Sequence, residues 1–363
     1  MRTRQAGRVG RDPSPEGCRV ADEAAAGRPL NTRWWRPVAL AVWIAAAVGL
    51  VVARGVPLDT LQVLAWVVAT LALVTALGGG RVRRVFVDWL PLAGLLFVYG
   101  LTRGAADALG VPVHVASIAG IESALFGGEV PTVWLQEHLY RHPPWTAVWW
   151  EVPITVVYVS HFVVPYVVGA WHWTRGAARW LFWSRRYVGV TVTALAIFIL
   201  VPAAPPWMAA RLDVIGPVQR TAGRGWSLLG VDVAERLIDT GQASVNLVAA
   251  MPSLHAAHAA LVPALFWRGR GRTTRIALLA YPAAMGFVLV VTGEHYVVDV
   301  LAGFALVAAV CWACSRWEAR GGGDAVRPSR RTATRGSSGG VRSRGRRRPW
   351  RCGLRLVTSP RDQ

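Results

Sequence analysis

The chain has 363 residues, 53% of them hydrophobic and 19 of them tryptophan, with a mean hydropathy of +0.36. That is too apolar for a soluble domain of this size to hide inside one core, and a membrane is its natural solvent. The formal net charge of +20 comes entirely from arginine, since lysine is absent, and its scatter through tails and short loops gives no ground for a nucleic-acid partner.

Residues 1–34 mix arginine, acidic residues, Gly and Pro with no apolar run. They read as a disordered basic tail rather than a cleavable signal. From residue 35 to 317 the chain reads as a transmembrane helical domain. A span needs about 20 mainly apolar residues, and runs of that kind begin near Pro37, Leu58, Val85, Trp150, Tyr187, Met251, Ile276 and Tyr296. The fold expected is therefore all-α, a polytopic membrane helical bundle of about eight spans. The fifth run should stop at Pro202, Pro205 and Pro206, because proline removes a donor and clashes with the preceding turn. Between the third and fourth runs, the Gly-interrupted stretch from Val111 to Phe126 is too short for a span and is expected along the interface. Residues 318–363, rich in Arg, Gly and Ser, cannot offset their ordering entropy and read as a second disordered tail, on the cytoplasmic side.

Arginine placement sets an expected orientation. Arg81, Arg83 and Arg84 fall in one connection, Arg175, Arg179, Arg185 and Arg186 in a second, and Arg268, Arg270, Arg272 and Arg275 in a third. With eight spans all three lie on the side of both termini, the cytoplasmic side. The connection from 204 to 250 balances Arg211, Arg220, Arg224 and Arg236 against Asp213, Asp232, Glu235 and Asp239, as an outer loop should. Cys18 and Cys352 sit in the tails, and Cys311 and Cys314 near the end of the last apolar run. No external pair is available for a disulfide, and Cys311-x-x-Cys314 reads as helix packing.

Two segments carry chemistry: Met251-Pro-Ser-Leu-His255-Ala-Ala-His258 and Thr292-Gly-Glu-His295-Tyr-Val-Val-Asp299. Each sets ionisable groups at the start of an apolar helix. His295 and Asp299 are four apart, so on a helix they share a face, and the carboxylate can orient the imidazole through its other nitrogen. His255 opens the sixth run and His295 the eighth, so both ends fall on the outer side and can meet.

These segments resemble the type 2 phosphatidic acid phosphatase superfamily, and within it the branch of inositol phosphorylceramide synthases and their bacterial relatives. Pro-Ser-Leu-His and His-Tyr-x-x-Asp carry the likeness, joined by Ala204-Pro-Pro-Trp-Met and Phe126-Gly-Gly…Pro131-Thr-Val-Trp-Leu-Gln136, so that it covers about residues 85 to 315. The resemblance implies a six-helix phosphatase-like core in a bacterial plasma membrane, with the active site facing outside. It implies a metal-independent phosphatase or phosphoalcohol transferase without a cofactor, acting on a lipid-linked phosphoester. His295 would attack phosphorus, Asp299 would hold it, and His255 would serve as acid and then base. The family's Lys-x6-Arg-Pro segment and its Ser-Arg pair are missing, Leu289 standing six residues before His295. The phosphoryl oxygens therefore need other cations, for which Arg103 and Arg211 are the candidates.

His161 lies mid-span in Tyr158-Val-Ser-His-Phe, where an ionisable group is expensive and often functional, and joins the candidate substrate-binding set. Ser253 joins it too, although its place at a helix start favours a capping role over that of a nucleophile. A transporter or channel using the same His/Asp cluster is the competing function. It ranks behind because the ionisable groups gather at one face and no paired broken helices suggest an inverted repeat. A zinc site is weaker still, for want of a His-x-x-x-His pair.

Overall fold

A computed structural model describes residues 35–54, 60–101, 110–140, 148–228, 230 and 247–322. Among these the helices are, in order, α1 Trp35–Arg54, α2 Thr60–Leu77, α3 Val82–Leu101, α4 Ala116–Leu125, α5 Pro131–Leu139, α6 Glu151–Thr174, α7 Ala177–Leu200, α8 Pro206–Arg211, α9 Gly225–Leu228, α10 Leu254–Phe266, α11 Arg272–Val291 and α12 Val297–Trp317. The described residues contain no strand, only isolated parallel bridges linking His114 to Ala203 and Ala203 to Ala249. The all-α membrane bundle expected from the apolar runs is the fold found.

Four helices, α6, α7, α11 and the stretch Val297–Gly321, are long and apolar enough to cross a membrane. The apolar parts of α1, α2 and α10 are shorter, and α3 carries Arg83, Arg84 and Asp88. Helix α7 corrects one sequence boundary, starting at Ala177 rather than near Tyr187. Its first turns look like an arginine loop in sequence, yet Trp180 and Trp183 are buried there, and tryptophan burial outweighs the charge pattern. The helix ends at Leu200, ahead of Pro202, as proline chemistry demands. At its other end α12 runs on into a π turn, Glu318–Gly322. Glu318 receives both guanidinium nitrogens of Arg186, at 3.0 and 2.9 Å.

Helix α10 is the centre of the bundle, packed by α6, α7, α11 and α12. The largest core cluster joins Trp89, Trp180, Trp183 and Tyr187 to Ala257, Leu261 and Leu306. A second gathers Ile154 and Tyr158 against Met285, Leu289 and Val300. At one end, arginines lie over tryptophans: Arg84 over Trp173, Arg175 over Trp171, Arg185 over Trp317 and Arg275 over Trp267. The two histidine motifs lie at the opposite helix ends.

Candidate active site

Ser253 is the N-cap of α10. Its Oγ accepts from Ala256 N at 3.3 Å, which fixes where the helix starts and therefore where His255 projects. Its own N–H donates to the carbonyl of Asp299 at 2.9 Å, tying the first motif to the second. Gly303, one turn further along α12, allows this approach. A Cβ there would stand 2.5 Å from Ser253 O, closer than real side chains come.

The second motif enters through a braced turn. Gly293 has φ 76°, a conformation suited to glycine, and its carbonyl accepts from Trp207 N at 3.2 Å. Gln136, mostly buried, donates to Val291 O at 2.9 Å and Gln219 O at 2.8 Å and accepts from Gln219 N at 2.8 Å. Tyr140 donates to Thr221 Oγ1 at 3.2 Å. Burial pushes its phenol up to about 12, so it remains a donor at neutral pH. The Ala204-Pro-Pro-Trp segment is itself held on both sides, with Ala203 N on Val248 O at 2.7 Å and Ala204 N on His114 O at 3.1 Å.

These supports converge on three side chains. The His255 and His295 rings have centroids 5.8 Å apart. His295 Nδ1 faces Asp299 Oδ2 at 3.6 Å, slightly beyond a direct hydrogen bond, and the same oxygen accepts from Tyr296 N at 2.9 Å. Asp299 is fully buried. With Nδ1 turned to the carboxylate, Nε2 is the nitrogen on the far side of the His295 ring. His255 Nε2 and His295 Nδ1 are buried atoms with no hydrogen bond. His161 of α6 lies closest to His255, at 3.9 Å between centroids. Behind it, at 5.3 Å, is His258, whose Nε2 meets Thr191 Oγ1 at 3.2 Å. The four imidazoles thus form a row ending at His295. Among the described residues no group of three or more His, Cys, Asp or Glu side chains is placed to hold a metal ion.

Sequence reasoning named Arg103 and Arg211 as phosphate cations. Arg103 lies outside the described residues. Arg211 is exposed, its guanidinium 4.8 Å from the Trp207 ring centroid. The residue that was missed is Arg220. Its guanidinium lies 5.1 Å from the same ring and forks onto both oxygens of Glu294, the neighbour of His295, at 2.8 and 2.9 Å. Its sequence signal was weak, since it stands in a charge-balanced loop, but Glu294 beside His295 was a visible partner. Glu122 of α4 was missed as well. It is fully buried, and its two oxygens accept from Val297 N at 2.8 Å and Val298 N at 3.0 Å. Burial pushes its carboxyl above the usual range, opposed by those two amides.

A helical membrane bundle with two histidines and a buried aspartate at facing helix ends defines a class of membrane protein equipped for acid–base and nucleophilic chemistry. The PAP2 superfamily model matches residues 118–313, more than half of the chain, and the chain belongs to that family: it is an integral membrane enzyme of lipid phosphoester chemistry. It is 28% identical over 249 residues to a phosphoinositol dihydroceramide synthase of Bacteroides thetaiotaomicron, covering 65% of this chain and 79% of the relative. No solved structure matches.

Proposed function

We propose that the protein is a phosphotransferase or phosphatase of lipid-linked phosphoesters, of the inositol phosphorylceramide synthase type, working through a phosphohistidine at His295 without a metal. The observation that carries this reading is the meeting of three groups from separate motifs, His255 with His295 and His295 with Asp299. The 5.8 Å between the two ring centroids supports both imidazoles acting on one phosphoryl group. In the first half-reaction Nε2 of His295 forms a bond to phosphorus and the bond to the leaving oxygen breaks. That oxygen takes the proton of His255. In the second, neutral His255 takes a proton from water or an alcohol, whose oxygen bonds to phosphorus as the P–N bond breaks. Asp299 supports the positive charge that develops on the His295 ring. Arg220, with Arg211 beside the same Trp207 ring, supplies positive charge for the phosphoryl oxygens.

The likeness to a phosphoinositol dihydroceramide synthase favours transfer to a polyol- or ceramide-type lipid over simple hydrolysis. The arginine-lined end of the bundle supports a cytoplasmic placement of both termini, in an eight-span bacterial plasma-membrane protein with the histidines at the outer face. The lipid then enters sideways from the outer leaflet. The test is head-group or phosphate release, and transfer to an added alcohol, from lipid phosphomonoesters and phosphodiesters with purified protein and chelator present. Activity should survive the chelator and vanish in His295→Ala and His255→Ala. Equal behaviour of wild type and both variants on every substrate would overturn the reading.

A further inference from the structure

A helix that begins at a reaction centre has orphan amides at its first turn, and in phosphate-handling folds those amides often face the anion. Here they face carboxylates from within the protein. Tyr296 N is held by Asp299 Oδ2, and Val297 N and Val298 N by the two oxygens of Glu122. Glu122 comes from α4, an element 175 residues away in sequence from Val297 and separate from the helices that carry the histidines. On the same face of α4, one turn earlier, Ile118 packs with Ala119 against the fully buried Tyr296 ring. The segment Tyr296–Asp299 is thus gripped from outside by one face of α4, while the amide of His295 is fixed from the other side by Leu289 O at 3.1 Å.

We propose that Glu122 is a positioning residue for the His295–Asp299 pair, its carboxylate fixing the first turn of α12 so that Asp299 stands against Nδ1 of His295. The inference rests on the reading of His295 as the nucleophile. Both oxygens are used in parallel toward successive amides, so the side chain sets the direction of the helix start as well as satisfying it. Without it the turn bearing Asp299 gains freedom relative to His295, whose own main chain stays tied to α11. A residue that only stabilised the fold would alter how much enzyme is folded and would leave the rate of each folded molecule unchanged.

The experiment uses the full-length purified protein with a lipid phosphodiester labelled in its phosphate, such as phosphatidylinositol. Wild type, Glu122→Gln and Glu122→Ala are compared by rapid quench. The reaction is stopped in alkaline detergent, where a phosphohistidine survives; the amplitude of protein-bound label counts active molecules, and the rate of its appearance reports phosphoryl transfer in each. Glu122→Gln keeps one acceptor and nearly the same volume, so it carries the test if Glu122→Ala fails to fold. The transfer rate per active molecule should fall in the order wild type, Gln, Ala, with a loss on the order of 10- to 100-fold for a shifted reacting group, while KM changes little. Wild-type transfer rates per active molecule in Gln, whatever its melting temperature, would overturn the proposal. A His295→Ala variant that turns over like wild type defeats the His295 reading itself and the proposal with it. That result is distinct from unimpaired variants beside a labelled wild type.

Discussion

Replacing Asp299 with asparagine changes one atom and removes one charge. The oxygen Oδ2 serves two neighbours, Tyr296 N at 2.9 Å and His295 Nδ1 at 3.6 Å, whereas Oδ1 is buried without a partner. The asparagine oxygen takes the Oδ2 place, keeps the bond to Tyr296, and still faces Nδ1 of His295. On the proposed mechanism, what is lost is the negative charge opposite a ring that becomes positive as its Nε2 bonds to phosphorus. Hydrogen bonds to charged groups contribute about 1.5–3 kcal/mol against roughly 1 for neutral ones, and about 1.4 kcal/mol is tenfold in rate. The variant should therefore lose between about 2-fold and about 30-fold in kcat. Its amide nitrogen, buried without an acceptor, costs a further 1–3 kcal/mol or so of stability. Asp299→Ala also abandons Tyr296 N and the orientation of His295, and should lose at least a further tenfold or so. The assay is kcat with a lipid phosphodiester in chelator, beside a thermal melt of the same detergent preparation. An asparagine variant as inactive as His295→Ala, or one equal to wild type, would refute the division of roles between the two residues.

Two further outcomes follow from the packing. Arg220→Gln leaves the carboxylate of Glu294, 7% exposed, without its guanidinium, and should destabilise by about 3–5 kcal/mol; Arg220→Gln with Glu294→Gln should recover much of the melting temperature but not the transfer rate, and a fully active double variant would remove Arg220 from the site. Gly303→Ala drives a methyl into Ser253 O, a backbone atom with little room to yield, and should cost about 1–3 kcal/mol together with activity, as read by melting and turnover in one preparation.

What the sequence made legible follows from what each signal depends on. Apolar runs depend on local composition, and they located the helices that form the bundle, including the stop before Pro202. The four-residue step from His295 to Asp299 and the helix start at Ser253 are equally local. Arg220 and Glu122 were not legible, because their roles arise from contacts with residues 74 and 175 positions away, Glu294 and Val297. Glu122 did stand out as a single acid in the apolar run Ala116–Leu125, yet nothing nearby could say which amides it would meet. The early start of α7 was hidden for a related reason. Arg179 and Arg185 signal a loop until Trp171 and Trp317 are seen beneath their guanidinium groups.

Gly303 has a mechanical consequence. With no side chain between the backbone of α12 and Ser253 O, and with Ser253 N bonded to Asp299 O, the starts of α10 and α12 are welded at one crossing. Neither can slide alone without breaking the Ser253 N–Asp299 O bond or closing on Ser253 O, so the helix starts beside His255 and His295 keep one spacing. Substrate entry must then leave this crossing intact, since α4 and α5 brace the second motif from outside through Glu122 and Gln136.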